Sequence, residues 1–129
     1  TVFENILVAV EQGVYRKSSS WSPHINKASC IERTEELIRS VGLIDQSFSF
    51  ASDLTRYEQR CLEIARGLAM NPRILLIDEP ADGMNTQQQH AMADLLKEVC
   101  KGALTLVVTS AGSDPFTTIC DRTVHLSPH

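Results

Sequence analysis

The stretch Arg73-Ile74-Leu75-Leu76-Ile77-Asp78-Glu79-Pro80 decides the fold of this 129-residue chain. Its short apolar run predicts a buried strand of a parallel sheet, because such strands are covered on both faces. Open α/β sheets bind ligands at the carboxyl ends of their strands, where Asp78 and Glu79 stand. An Asp there can hold Mg²⁺, usually through water, and an adjacent Glu can orient or deprotonate a water molecule. The alternative is an acidic turn that binds no ligand.

The residues after this stretch alternate between helices and strands. Apolar spacing predicts a helix over 86–99, and the apolar run Leu104–Val108 predicts a second buried strand. Asp114-Pro115 indicates the start of a short helix, and Thr123–Leu126 is predicted to be a last, short strand. This order of elements predicts an α/β unit with a parallel sheet.

The residues before the stretch are predicted to be mostly helical. Thr1 and Glu4 have the spacing of a capping box, which opens a helix. Helical spacing of apolar residues predicts helices over 1–10, 28–41 and 57–70. The polar, Ser-rich residues 13–27 are predicted to form a loop or linker, and residues 45–53 are predicted to be irregular.

Composition excludes several classes of function. The net charge is −4 and Lys and Arg are scattered, so no basic stripe indicates nucleic acid as a partner. No apolar run approaches the roughly 20 residues that a membrane-spanning helix needs. The spacing of the four cysteines fits neither a zinc knuckle nor a redox pair, which predicts free thiols. They are Cys30, Cys61, Cys100 and Cys120.

The residues on both sides of this stretch resemble a conserved block of ATP-binding-cassette (ABC) ATPases. Leu54-Thr55-Arg56-Tyr57-Glu58-Gln59-Arg60 stands where that family has its LSGGQ signature followed by Gln-Arg. A helix and a strand ending in Asp-Glu-Pro follow, as in the family's Walker B strand, and Ala81–Asn85 falls at its D-loop. The stretch LEIARGLAMNPRILLIDEPADGMN is most similar to the ATP-binding subunits of branched-chain amino-acid importers. The resemblance covers nearly the whole chain.

The resemblance implies a fold and a division of the chain. The fold would be α/β, a partial P-loop NTPase core with parallel strands plus an N-terminal helical subdomain. Residues 1–60 would form the helical subdomain, which carries the signature and contacts a membrane permease. Residues 61–129 would form the Walker B half of the ATPase core. Because residue 1 is Thr and a block of a larger domain follows, we expect a piece of a longer protein.

The resemblance also implies a site, cofactors and partners. Asp78 would hold Mg²⁺ and Glu79 would act as the catalytic base. Thr55 and Glu58 would stand in the signature, which contacts ATP bound by the opposite subunit. The partners would be a second ATP-binding subunit and transmembrane permease subunits, with no nucleic acid. The parent would lie in the cytoplasm, peripheral on the inner face of the cell membrane.

Four departures from the family pattern bear on activity. No stretch matches the phosphate-binding P-loop, Gly-x-x-x-x-Gly-Lys-Ser/Thr. Tyr57 replaces a signature glycine and would place a side chain where backbone approaches a phosphate. Ala111 stands where the family has its switch histidine, and the chain stops at His129, where relatives continue. Two functions follow: a fragment of an importer ATPase subunit, or a non-catalytic remnant or binding module that docks on a permease or an intact ATPase.

Two further expectations follow from the missing P-loop. The isolated chain should bind ATP weakly or not at all, because phosphoryl transfer depends on positioning the nucleotide. In proteins that this chain resembles, the P-loop strand lies between the strands predicted at Leu104–Val108 and Thr123–Leu126. Without it the last strand should be loose or displaced.

Overall fold

The computed structural model describes residues 1–17, 26–102, 104–110 and 115–126. Within these ranges the chain forms helices and a small parallel sheet. The elements, in chain order, are α1 (Val2–Lys17), α2 (Lys27–Ser40), a 3₁₀ turn (Ala51–Asp53), α3 (Arg56–Ala69), β1 (Ile74–Asp78), α4 (Thr86–Val99), β2 (Thr105–Thr109) and a 3₁₀ turn (Pro115–Thr118).

The first half is a three-helix unit in which α1, α2 and α3 pack against one another. Each helix places an apolar stripe in a common core, as the 3.6-residue period requires. The stripes include Ile6 on α1, Leu37 on α2 and Ala65 on α3, all buried. The helices predicted over 28–41 and 57–70 are confirmed with a shift of one residue at each end.

The first helix is longer than predicted. The prediction of a loop over 13–27 is wrong for residues 13–17, because α1 continues to Lys17; residues 18–25 lie outside the described ranges. Gly13, which the prediction placed in the loop, lies inside this helix. It is buried, and a Cβ built there would lie 2.7 Å from the carbonyl oxygen of Ala69 on α3. The glycine therefore serves close helix packing and does not end the helix.

The second half contains the parallel sheet. The register runs from Ile74 opposite Thr105 to Asp78 opposite Thr109, and α4 connects the two strands. Helix α4 covers the predicted 86–99, and Asn85 caps it in a capping box with Gln88. The second strand begins one residue later than predicted, at Thr105.

The two faces of the sheet differ in burial. Leu75 and Ile77 of β1 and Leu106 and Val108 of β2 belong to the face that packs on the core. The opposite face is open: Ile74 is 60% exposed and Leu76 is 74% exposed. The prediction of strands buried on both faces is therefore wrong, because no described element covers the second face.

The last predicted strand does not form. Residues 123–126 have no strand structure and are all exposed, so the prediction of a strand at Thr123–Leu126 is wrong here. The segment is unpaired, which agrees with the expectation of a loose last strand. The short helix expected after Asp114-Pro115 is the 3₁₀ turn Pro115–Thr118; Asp114 lies outside the described ranges.

The architecture agrees with the α/β class, a parallel sheet beside an N-terminal helical unit. The boundary predicted between 1–60 and 61–129 stays a prediction, and α3 runs through it without a break. None of the helices in the described ranges has the length and apolarity that crossing a bilayer requires.

Candidate functional site

The carboxyl end of β1 carries the two carboxylates that the sequence singled out. Asp78 is the last residue of the strand and is exposed. Its Oδ1 accepts a hydrogen bond from the hydroxyl of Thr109, the residue opposite it in the register. The other oxygen of Asp78 has no hydrogen-bond partner among the described residues. Asp78 therefore faces solvent with one oxygen available to a ligand.

Hydrogen bonds hold both the N–H and the carbonyl oxygen of Glu79. Its N–H lies 3.1 Å from the carbonyl oxygen and 3.3 Å from the hydroxyl of Thr109. Its carbonyl oxygen accepts from the N–H of Asp82 at 3.1 Å and from Arg60 at 3.4 Å. The residue has φ 45°, in the left-handed region that few non-glycine residues adopt. These bonds hold the conformation, and the carboxylate accepts no bond from any described residue.

The N-terminus of α3 carries the other two predicted site residues. Thr55 is the N-cap, and its hydroxyl and N–H both donate to one carboxylate oxygen of Glu58, at 2.7 Å and 2.8 Å. The N–H of Glu58 lies 3.3 Å from the Thr55 hydroxyl oxygen, which completes a capping box. The cap satisfies N–H groups that the first turn of a helix leaves without partners.

The capping box decides what the start of α3 can bind. A helix N-terminus attracts anions because of its free N–H groups and the helix dipole. Here the carboxylate of Glu58 already supplies the negative charge and uses the Thr55 hydroxyl proton. A glutamine at this position would cap without charge. In this conformation, Thr55 and Glu58 bond to each other, and their contact with a nucleotide stays a prediction.

Tyr57 does not stand over the helix N-terminus. Its side chain is half-buried and packs against the hydrophobic core. Burial is the main cause that raises the pKa of the Tyr57 phenol to about 12, and Cys61 one turn along adds to it. The side chain thus packs inward, and the expectation that Tyr57 interferes with a phosphate stays a prediction.

Arg56 joins the start of α3 to the loop after β1. Its Nε lies 2.7 Å from the carbonyl oxygen of Asp82, and its Nη2 lies 2.5 Å from the Asp82 carboxylate. Gly83, with φ 70°, allows this contact, since a Cβ there would lie 2.8 Å from the Arg56 Nε. The guanidinium is therefore held by the loop after β1.

The structure thus forms two pairs of site residues. Asp78 and Glu79 share a strand end, and Thr55 and Glu58 share a helix end, while Arg56 and Arg60 connect the two regions. The sequence prediction missed Thr109. The register of the two parallel strands would have identified Thr109, because it places Thr109 opposite Asp78, where the Thr109 hydroxyl meets the carboxylate. Ala111 lies outside the described ranges.

The chemistry available at the strand end is limited. Within the described ranges, no cluster of three or more His, Cys, Asp or Glu could hold a metal ion. A single exposed carboxylate suits Mg²⁺, which keeps several waters and needs few protein ligands. The free Glu79 carboxylate beside it could accept a proton. The pair fits a magnesium-assisted reaction whose other groups come from outside these residues.

Comparison with known proteins then identifies the family. No protein-family profile matches the chain. Over 123 residues, 95% of its length, it is 33% identical to the methionine import ATP-binding protein MetN of Carboxydothermus hydrogenoformans. Over 106 residues, 77% of its length, it is 34% identical to the high-affinity branched-chain amino acid transport ATP-binding protein LivG of Escherichia coli. The chain belongs to the ABC-transporter ATP-binding family.

Solved structures of ABC ATPases share the fold. The chain matches cbiO1 of Clostridium perfringens, part of the ABC transporter complex cbiONQ, with a TM-score of 0.79 at 17% identity over 94% of the chain. It matches an ABC-transporter cassette in its ADP conformation with a TM-score of 0.72 at 20% identity, again over 94%. These likenesses confirm the predicted class, a partial ABC ATPase core.

The chain is shorter than the ABC proteins that it matches. It spans 34% of MetN and 41% of LivG, and 45% of the cbiO1 chain. The arginine transport ATP-binding protein ArtM of Bacillus subtilis is 32% identical over 110 residues. Identities of 32–34% to methionine, arginine and branched-chain proteins do not separate these groups.

Proposed function

We propose that the chain is a piece of the ATP-binding subunit of an ABC importer for amino acids. Its relatives are named for the import or transport of methionine, arginine and branched-chain amino acids. The branched-chain group is the substrate class that we favour, because the stretch over 62–85 resembles its ATP-binding subunits. The parent would lie on the cytoplasmic side of the membrane, peripheral to its permease, and would work with a second ATP-binding subunit.

The residues at the strand end would serve ATP hydrolysis in the parent protein. Asp78 would hold Mg²⁺ through water, since one of its carboxylate oxygens accepts no hydrogen bond from any described residue. The ion would neutralise charge on the phosphates. Glu79 would orient the attacking water and accept its proton. Thr109 would position Asp78 through its hydroxyl.

One observation carries this proposal: an exposed Asp78 followed by a half-buried Glu79 at the carboxyl end of a parallel strand, in a chain related to ABC ATP-binding proteins over 95% of its length. Such strand ends are where α/β proteins place ligands. The fixed backbone of Glu79 supports its role, because left-handed backbone at a non-glycine residue is costly and is often kept at functional sites.

The test is the hydrolysis of Mg-ATP by the full-length parent, with Glu79→Gln compared with the wild type. We expect the turnover rate to fall by at least about 100-fold, within the range for loss of a general base. Binding of ATP should be retained, since the side chain keeps its size and Asp78 is intact. Glu63→Gln is the matched control, because Glu63 is exposed on α3 and, among the described residues, its carboxylate pairs with Arg60 alone.

Two results would contradict the assignment. An unchanged turnover rate in Glu79→Gln would show that Glu79 is not the base. An equal loss of turnover in Glu63→Gln would show that the effect comes from net charge and not from position. Uptake of labelled leucine and of labelled methionine by the assembled importer would then decide the substrate class.

A second candidate function is a non-catalytic binding module that docks on a permease or an intact ATPase. The capping box of α3 favours it, because Glu58 places negative charge where a phosphate would approach. In a heterodimer, such a subunit would leave one nucleotide site impaired. Turnover of the parent alone, without an intact partner subunit, would exclude this candidate.

A further inference from the structure

A turn over residues 79–82 follows β1. The N–H of Asp82 donates to the carbonyl oxygen of Glu79 at 3.1 Å and closes the turn. Pro80 stands at the second position of the turn, which its fixed φ favours, and its side chain is fully buried. Pro80 thus fixes the middle of the turn on the core, whereas Asp82 at its end is exposed.

Two arginines of α3 hold the two ends of this turn. Arg60 Nη2 lies 3.4 Å from the carbonyl oxygen of Glu79. Arg56 donates from Nε to the carbonyl oxygen of Asp82 at 2.7 Å and from Nη2 to the Asp82 carboxylate at 2.5 Å. Residues four positions apart lie on one face of a helix. One face of α3 therefore contacts both the beginning and the end of the turn.

Arg56 is suited to its contact with Asp82 by the shape of the guanidinium group. Two of its nitrogens donate to two oxygens of one residue, a paired geometry that a lysine does not provide. An exposed ion pair usually contributes little to stability, and paired arginine contacts are the exception. A glycine occupies position 56 in the LSGGQ pattern, so the contact comes from this chain's own sequence and not from the family pattern.

The backbone of Glu79 depends on the contacts around it. Its φ of 45° is costly for a residue with a side chain and persists only where the surroundings fix it. Thr109 on β2 fixes the N–H, whereas the carbonyl oxygen depends on the N–H of Asp82 and on Arg60. Movement of Asp82 would break the bond that closes the turn. Because the backbone at Glu79 sets the direction of its side chain, the carboxylate would then move as well.

We propose that Arg56 is a positioning residue for Glu79: by holding Asp82 it keeps the turn closed and the Glu79 carboxylate in place. The Glu79 carboxylate accepts no hydrogen bond from any described residue, so Arg56 acts through the turn. The inference rests on the proposed function, in which Glu79 accepts a proton from the attacking water. A base that is present but misplaced lowers the turnover rate and leaves nucleotide binding intact. Loss of Arg56 should therefore change kcat and not KM.

Amide hydrogen exchange of the whole chain, followed by NMR without nucleotide, tests the first step. The variant is Arg56→Gln, which removes the charge and the paired contact. The N–H of Asp82 should exchange about fivefold faster in the variant, the upper range for an exposed ion pair. High salt should speed this exchange in the wild type and not in the variant, because salt screens exposed charges. The N–H of Ala65, buried inside α3, should exchange at an unchanged rate and serves as the internal control.

Hydrolysis of Mg-ATP by the full-length parent tests the second step. In Arg56→Gln, kcat should fall about fivefold while KM stays within about twofold. Asp82→Asn should also lower kcat, and the double variant should be no slower than Arg56→Gln alone, because both changes remove one contact. Arg33→Gln is the matched control: Arg33 is an exposed arginine that pairs with Glu36 inside α2, and its loss should leave kcat unchanged.

Each of four results would overturn the inference. They are unchanged exchange at Asp82 in Arg56→Gln, losses of kcat that multiply in the double variant, a raised KM with unchanged kcat, and an equal loss of kcat in Arg33→Gln. The raised KM would assign Arg56 to nucleotide binding instead. Full turnover in Glu79→Gln would contradict the proposed function separately, because the exchange measurement contains no nucleotide and still reports whether Arg56 holds the turn.

Discussion

Glu58 differs from a signature glutamine by one oxygen in place of an amide nitrogen, and that difference changes the start of α3. Both side chains can complete the capping box with Thr55. Only the glutamate adds a negative charge at a helix end that otherwise attracts anions. The same replacement that strengthens the helix therefore works against binding a phosphate.

Substitution Glu58→Gln is predicted to separate these effects. In the full-length parent we expect the affinity for Mg-ATP at the site that this helix faces to rise about tenfold, about 1.4 kcal/mol. The free energy of unfolding should fall by no more than about 1 kcal/mol, because the amide still caps. Isothermal titration with ATP and urea unfolding would measure both quantities.

Glu63→Gln serves as the control for the Glu58 prediction. It removes the same charge from the same helix, one and a half turns further along. An equal gain in ATP affinity from Glu63→Gln would show that net charge, and not the capping box, governs nucleotide binding. Unchanged affinity in Glu58→Gln would show that its carboxylate moves aside when nucleotide binds.

The role of a residue could be predicted from the sequence where that residue type has a single structural role in its local pattern. The pair Thr55 and Glu58 shows the limit. The spacing Thr-x-x-Glu is a capping box, yet the family resemblance assigned both residues to phosphate contact. The contact of Thr109 with Asp78 depends on strand register, and the inward turn of Tyr57 depends on the core beneath it. Neither can be obtained from residues close in sequence.

At the scale of the element, Gly13 sets the distance between α1 and α3. Gly13→Ala should gain up to about 1 kcal/mol of helix propensity. It should lose more, because the new Cβ would meet the Ala69 carbonyl oxygen at 2.7 Å and main chain cannot rotate away. We predict a net fall of about 1–2 kcal/mol in the free energy of unfolding, measured by urea denaturation.

Gly102→Ala is the control for the Gly13 prediction. A Cβ at Gly102 meets no described atom within 4 Å, so the change should stay within about 0.5 kcal/mol. If Gly13→Ala is as stable as Gly102→Ala, then α1 and α3 can separate freely and the close approach is not required.

Helices were predicted more accurately than strands because their signals are local. Helix α4 begins and ends as predicted, since a capping box and an apolar stripe lie within its own residues. The strand predicted at Thr123–Leu126 has no such local test, because a strand exists only when a neighbour pairs with it. In the described part of the chain, residues 123–126 have no such neighbour.

At the scale of the whole molecule, the sheet is incomplete. Its two paired strands leave one face open, with Leu76 among the exposed apolar residues. The chain covers less than half of the cbiO1 chain that shares its fold. The fold class was predictable because the order of elements follows from local sequence patterns, whereas the burial of each strand depends on what packs against its two faces.

Amide hydrogen exchange should show this difference directly. We predict that the amides of 123–126 exchange at nearly the rate of an unfolded peptide in a dilute monomer. The interior amides of β1 and β2 should be protected by their ladder. Mass spectrometry of peptic peptides after short labelling times would measure both. Strong protection over 123–126 would mean that the segment has paired with the sheet.

The parallel register also sets an order of assembly. Asp78 and Thr109, which pair across the sheet, are 31 residues apart, and a complete helix must form between their strands. The three helices of the first half end at Ala69 and pack against one another. During synthesis, which proceeds from the N-terminus, that half can fold as it leaves the ribosome. Strand β1 must wait for β2, and until then both of its edges are available to other chains.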